Sequence, residues 1–155
     1  MEAGPGVTKV KPGDKVVLSW IRGEGMEAGG AVYDWDGKKV NSGGVTTFQR
    51  HAVVSENRLT LVPNGMGMDL AVLLGCSAPT GMGAILNVLG VKAGNSVVVF
   101  GTGGIGLNAI MAAALVGGNP VIGVDLNASR RNLALAFGGT HVIDPAGGDT
   151  PAHIK

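Results

Sequence analysis

The chain is 155 residues long, 45% hydrophobic, and carries 12 basic against 11 acidic side chains for a net charge of +1. That is enough apolar material for one domain-sized core, and the even charge, with no run of one sign, argues against nucleic acid as a partner. A single cysteine excludes an internal disulfide framework, and the opening Met1-Glu2-Ala3-Gly4-Pro5-Gly6 has neither the basic start nor the apolar core of a secretion signal, so the expected location is the cytoplasm.

In chain order, Lys11-Pro12-Gly13-Asp14 is a turn that feeds the strand Lys15-Val16-Val17-Leu18. The same grammar recurs at Lys92-Ala93-Gly94-Asn95 before Val97-Val98-Val99-Phe100, as common turn-to-strand usage rather than a repeat. Residues 23–44 are polar and glycine-rich and read as a surface lobe, with Asp36-Gly37 turning a hairpin between Val32-Tyr33 and Lys39-Val40. Glu24, Glu27, Asp34 and Asp36 read as the surface of that lobe rather than as paired catalytic acids. Residues 45–62 resume β character in Thr46-Thr47-Phe48 and Ala52-Val53-Val54, and Pro63-Asn64-Gly65 closes the stretch.

Beyond Pro63 the texture changes. Helices are predicted over 69–74 and 80–89, then a strand over 97–101, a helix over 105–115, a strand over 121–125, a helix over 129–137 and a third strand over 141–144. This is βαβαβ with short connections, the mark of a parallel, doubly wound sheet whose near-continuous apolar strands are buried on both faces. Two such halves make a full dinucleotide-binding domain, so about half of the sheet is expected to be missing after Asp144, and 151–155 are read as the start of a further helix. The most apolar stretch, 97–124, is too interrupted by glycine and by Gly117-Gly118-Asn119-Pro120 to be a membrane span.

The strongest motif is Gly101-Thr102-Gly103-Gly104-Ile105-Gly106, directly after a strand and directly before a helix. In that setting Gly101 serves the tight turn, Gly103 lets the backbone approach a pyrophosphate, and Gly106 lets helix and strand pack closely. The free amides and positive dipole end of the helix that starts near Gly104 would hold the phosphates, and Ile105 would add a wall to the cleft. Asp125, 19 residues beyond Gly106 at the end of the next strand, can accept hydrogen bonds from an adenosine ribose and repels a 2′-phosphate, which favours NAD over NADP. Arg130 can reach the same ribose or a phosphate, and the pair Arg130-Arg131 is the one feature that pulls toward NADP.

These residues, together with Gly6 to Val17, Leu74-Gly75-Cys76-Ser77-Ala78-Pro79-Thr80-Gly81, Gly123-Val124-Asp125 and Thr140 to Pro145, resemble the medium-chain dehydrogenase/reductase family and, within it, the zinc alcohol dehydrogenases. The resemblance implies three regions: 1–67 as the β-rich end of a GroES-like catalytic domain with the lobe at 23–44, 68–95 as connecting helices, and 96–155 as part of an NAD-binding Rossmann domain. It also implies hydride transfer between an alcohol or aldehyde and NAD. Cys76 falls on a ligand of the catalytic zinc, and Thr80 on a position that lies against the nicotinamide. A catalytic zinc takes three protein ligands, and the family supplies its others from a region preceding Gly6, so the chain is read as a fragment that is inactive alone. Relatives carry a four-cysteine structural zinc in the lobe; residues 19–45 contain no cysteine, so no structural zinc is expected. His51, His141 and His153 have no ligand spacing and read as solvated or packed residues.

Two other readings stand beside this one. A zinc-free quinone or enoyl reductase using NADPH would fit the fold, but Cys76 and Asp125 argue against it. A self-standing nucleotide-binding module would fit the truncated sheet, whose unpaired edge predicts self-association.

Overall fold

The computed structural model describes residues 2–41 and 43–148; the helix expected over 151–155, and His153 with it, lie outside them. Residue contacts divide the chain into two compact units, Met1–Cys76 and Ser77–Lys155.

In the first unit, β1 (Val16–Leu18) pairs antiparallel with β4 (Leu59–Leu61), Val16 opposite Leu61 and Leu18 opposite Leu59. The lobe contains the expected hairpin, β2 (Val32–Trp35) against β3 (Lys38–Asn41). Its turn residues Asp36 and Gly37 both have positive φ, 51° and 71°, the left-handed pair that a two-residue turn needs to match strand twist. The Asp34 carboxylate accepts from the Gly37 amide at 3.0 Å and closes the turn.

Residues 46–48 and 52–54, expected as strands, are not in strands. The segment offers no buried face to hold it on a sheet: Phe48 is fully exposed and Val53 is largely so. β-prone residues make a strand only where one of their faces is buried against something. A 3-10 turn, Glu56–Arg58, leads into β4, and the short α1 (Met68–Ala71) continues as a 3-10 turn, Val72–Gly75. A Cβ on Gly75 would lie 2.7 Å from the Leu18 carbonyl oxygen, so this turn rides close on β1.

The lobe is tied down by charge. Glu56 is buried, and its carboxylate accepts from the backbone amides of Thr8 and Lys9 at 2.6 Å and of Met26 at 2.8 Å. Those three amides, Met26 foremost, hold its pKa down at about 2. Glu27, exposed as the sequence reading expected, also organises the lobe. It pairs with Arg22 at 2.9 Å and Arg58 at 3.8 Å, and accepts from Ser55 Oγ and Asn57 Nδ2 at 3.1 Å. The buried Arg58 also donates to the Trp20 carbonyl and lies over the Trp20 ring, 5.7 Å from its centroid.

The second unit is the βαβαβ half-sheet. β5 (Val97–Phe100), β6 (Val121–Val124) and β7 (His141–Ile143) form one parallel sheet in the order β5-β6-β7, with α3 (Gly104–Leu115) and α4 (Ala128–Ala136) as the crossovers. All of β6 is buried, as the central strand of a covered sheet must be. The core joins Val97 and Val121 to Ile85, Ala109, Ile110, Ala112, Ala113 and Ala134.

Ahead of the sheet, α2 (Ser77–Gly83) passes into a π-helical turn, Ala84–Val88. It begins three residues before the expected start, because Pro79 sits in its first turn, where the missing N–H costs nothing. A Cβ on Gly81 would run into the Ile105 carbonyl and stand 2.8 Å from Asn108 Cβ, so glycine is what lets α2 lie directly on α3. Among the described residues no single helix is long and apolar enough to cross a membrane.

Candidate cofactor-binding site

The parallel register sets Phe100 beside Val124, so β5 and β6 end level and their two following loops leave the sheet side by side. One is the glycine turn, the other begins with Asp125.

Gly101 has φ 85°, which glycine adopts without strain, and its amide donates to the Val124 carbonyl at 2.8 Å. A Cβ on Gly106 would collide with the carbonyl oxygen of Gly101 and lie 3.3 Å from Val99 Cγ1. Helix α3 therefore enters against β5 only because that residue is glycine. A Cβ on Gly103 would meet nothing within 4 Å, so open space stands over this part of the turn. Gly104 begins α3, whose first-turn amides have no partner inside the helix. Ile105, half exposed, stands on the same first turn.

Asp125 is buried, and two loops hold it. Its Oδ1 accepts from the Asn127 amide at 2.8 Å, and its Oδ2 accepts from the Thr102 amide at 2.8 Å. The Asn127 amide, then the Thr102 amide, keep the Asp125 pKa below the usual carboxylate value against the opposing effect of burial; the Thr102 hydroxyl and the Arg130 charge add to the lowering. The group is thus an anion near neutral pH. Each carboxylate oxygen still has a lone pair for a ligand hydroxyl.

The two arginines part company. Arg130 stays exposed, with Nη1 3.9 Å from Asp125 Oδ2. Arg131 is largely enclosed, donates to the carbonyls of Asp125 and Leu126 at 2.7 and 2.9 Å, and pairs with Asp144 at 2.9 Å. It stitches the end of β6 to the end of β7 and is committed there, so only Arg130 remains to meet a phosphate.

Thr102 and Asn127 were not singled out by sequence, and Arg131 was read there only as half of a pair pulling toward NADP, not as the link between strand ends that it is. Asn127 carried a signal: its side chain accepts from the amides of Ser129 and Arg130 and caps α4, the habit of an asparagine just ahead of a helix. Thr102 occupies a variable position of the glycine motif and carried none.

The remaining candidates are placed as follows. Thr80 is exposed within α2, inside the helix rather than at its cap. Cys76 is exposed and closes the first unit, so it is not the buried small hydrophobe that a lone cysteine often is. His51 and His141 are exposed, and the Thr140 hydroxyl lies 2.8 Å from His141 Nδ1.

The two implied groups fare differently. The open space over Gly103 beside the anionic Asp125 fits a dinucleotide. A catalytic zinc needs three protein ligands, and among the described residues no three His, Cys, Asp or Glu side chains gather, so these residues by themselves do not fit the metal.

A parallel three-stranded sheet with a glycine turn and an acid closing the second strand is one half of a doubly wound domain. No protein-family model matches the sequence. Individual proteins do. A geraniol dehydrogenase of Castellaniella defragrans is 37% identical over an alignment covering 98% of this chain and 48% of its own length. An NDMA-dependent alcohol dehydrogenase of Amycolatopsis methanolica is 37% identical, with 94% of this chain and 46% of its own length covered. The crystal structure of an alcohol dehydrogenase zinc-binding domain protein from Burkholderia ambifaria superposes with a TM-score of 0.80 at 32% identity, covering 98% of this chain and 48% of that one.

The chain belongs to the medium-chain dehydrogenase/reductase family, among the zinc-type alcohol dehydrogenases. It spans about half the length of the curated relatives it matches.

Proposed function

We propose that the protein to which this chain belongs transfers a hydride between an alcohol or aldehyde and NAD, and that residues 77–148 provide the adenosine-diphosphate side of the cofactor site. The observation that carries this reading is Asp125: a buried anion, gripped by the amides of two loops, beside a glycine turn with open space over Gly103. In this arrangement the first-turn amides of α3 hold the pyrophosphate, Gly103 lets it come close, and Asp125 accepts the two ribose hydroxyls. Arg130 neutralises part of the carboxylate's charge and lies over the same ribose. Ile105 adds a wall to the cleft, and Thr80 supplies a contact on the nicotinamide side. When bound, NAD supplies the hydride acceptor.

Cys76 is assigned one thiolate of the catalytic zinc of the longer protein, in keeping with its exposure and with the alcohol dehydrogenases to which the chain is similar. Taken alone, the chain's residues support cofactor binding rather than turnover. The alcohol is left open, since the adenosine side of the site does not touch it.

Titration calorimetry of the chain with NADH and NADPH, repeated on Asp125→Ala, tests the reading. NADH is expected to bind more tightly, and the substitution to weaken NADH and remove the preference. A preference for NADPH would overturn it in favour of a reductase in which Arg130 meets the 2′-phosphate.

Self-association belongs to the same proposal. Among the described residues β5 and β7 each pair on one side only, and an open strand edge is a template for another chain. A monomer at high concentration by size-exclusion chromatography with light scattering would overturn this part.

A further inference from the structure

The ends of β6 and β7 form a second charged corner of the sheet's rim. Val124 lies opposite Ile143 in the parallel register, and the Asp125 amide donates to the Ile143 carbonyl at 3.3 Å. Asp144 therefore follows β7 where Asp125 follows β6, and two acidic residues leave the sheet side by side. Arg131 joins the two strand ends. Its Nη1 donates to the main-chain carbonyls of Asp125 and Leu126 at 2.7 and 2.9 Å, and its Nη2 meets Asp144 Oδ2 at 2.9 Å. Asp144 is itself held, because its Oδ1 accepts from the Ala146 amide at 3.0 Å and caps the 3-10 turn Pro145–Gly147.

We propose that Asp144 is a specificity-determining residue for the dinucleotide: by holding Arg131 on the backbone at the end of β6, it keeps that guanidinium from a 2′-phosphate and so sustains the preference for NADH. The inference rests on the NAD reading above and names what enforces that reading besides Asp125.

An arginine beside the ribose is what accommodates a 2′-phosphate in sites of this kind. Arg131 has the fork for it, and its Nη1 already sits on the carbonyl of Asp125 itself. Its donors are engaged, however, and unequally. Two contacts are to neutral carbonyls and one is to an anion. Charge-assisted hydrogen bonds are roughly twice as strong as neutral ones, so Asp144 is the acceptor that a phosphate must displace. Removing the charge of Asp144 leaves two neutral carbonyls in competition with a phosphate, and the balance moves toward the phosphate. All three contacts are made by the end of a long side chain, so its release requires no movement of α4. None of them uses the Asp125 carboxylate, whose remaining lone pairs stay open to the ribose hydroxyls.

Asp144→Asn keeps an oxygen for the Ala146 amide and removes the charge. The measurements are thermal unfolding and calorimetric titration with NADH and NADPH, on the wild-type chain, on Asp144→Asn, and on Asp144→Asn combined with Arg131→Gln. Asp144→Asn is expected to bind NADPH about five- to tenfold more tightly than the wild type, with NADH affinity changed by less than about twofold. The double variant is expected to lose that gain. A merely structural ion pair, once broken, lowers stability and weakens both dinucleotides, so it cannot produce a gain for one of them. An unchanged ratio of NADPH to NADH affinity in a folded Asp144→Asn overturns the inference and leaves the NAD reading intact. A gain that survives in the double variant also overturns it, since Asp144 would then act by its own charge and not through Arg131. If the wild-type chain prefers NADPH or binds neither dinucleotide, the NAD reading falls and the inference with it. Should either variant fail to fold, Asp144→Ser, alone and with Arg131→Met, is held to the same outcomes.

Discussion

Residues 2–76 and 77–148 bury different chemistry. In the first unit the buried apolar residues are Leu59 and Ala71, and beside them lie four consecutive polar residues, Ser55, Glu56, Asn57 and Arg58. In the second the core is aliphatic, and Thr102 and Asp125 are its buried polar residues. Charge-assisted hydrogen bonds are directional and depend on protonation, whereas aliphatic packing depends on volume and not on pH. The lobe should therefore respond to acid and the sheet to added or deleted methyl groups. Both tryptophans, Trp20 and Trp35, are in the first unit, while α3 and α4 are in the second. Tryptophan fluorescence and helical circular dichroism report on the two separately.

The largest effect is expected from Gly106→Ala. The new methyl has no room beneath the Gly101 carbonyl, so the turn and α3 must separate, at a cost of about 3 kcal/mol or more. The helical signal should melt far earlier while the fluorescence transition stays in place. A shift of both together would show that the units do not respond independently.

Next comes Glu56→Gln, which places an NH2 group against backbone donors and should lower the fluorescence midpoint with little change in the helical signal. The sign of the pH dependence follows from the lowered pKa. In the wild type the carboxylate's contribution is complete above about 4.5, its ordinary value, and is lost as pH falls toward about 2. Acid titration of the variant should be flatter over that window; an unchanged acid transition would mean that other groups govern the lobe.

A smaller effect belongs to Asn127→Ala. It removes the cap of α4, worth about 1 kcal/mol, and should lower the helical midpoint slightly. The smallest belongs to Lys39→Ala. The Lys39–Asp34 pair at 3.6 Å is solvent-exposed at both ends, and no measurable shift in the fluorescence midpoint is expected. A clear loss there would mean that the hairpin relies on its rim charges more than on its turn.

The same contrast explains what the sequence could tell. The half-sheet was legible because a buried parallel strand must be a continuous apolar run, and Val97–Phe100 and Val121–Val124 are that. Gly101, Gly106 and Asp125 were legible because the turn's geometry dictates their types. Glu56 was not, since its partners are backbone amides up to 48 residues away that any residue could carry. Residues 46–48 and 52–54 were misread because β character in a sequence does not say whether anything will cover the side chains, and here Phe48 and Val53 stay exposed. Thr102 and Arg131 act through contacts that a linear pattern does not encode: a backbone amide turned onto Asp125, and a guanidinium that spans two strand ends.

The level ends of β5 and β6 carry a consequence for how such a chain can change over evolutionary time. A parallel sheet delivers every strand to one rim, so a residue there that faces open space, as Gly103 does, can be exchanged without touching the aliphatic core, whereas Thr102, Gly106 and Asp125 are packed into it and are not so free.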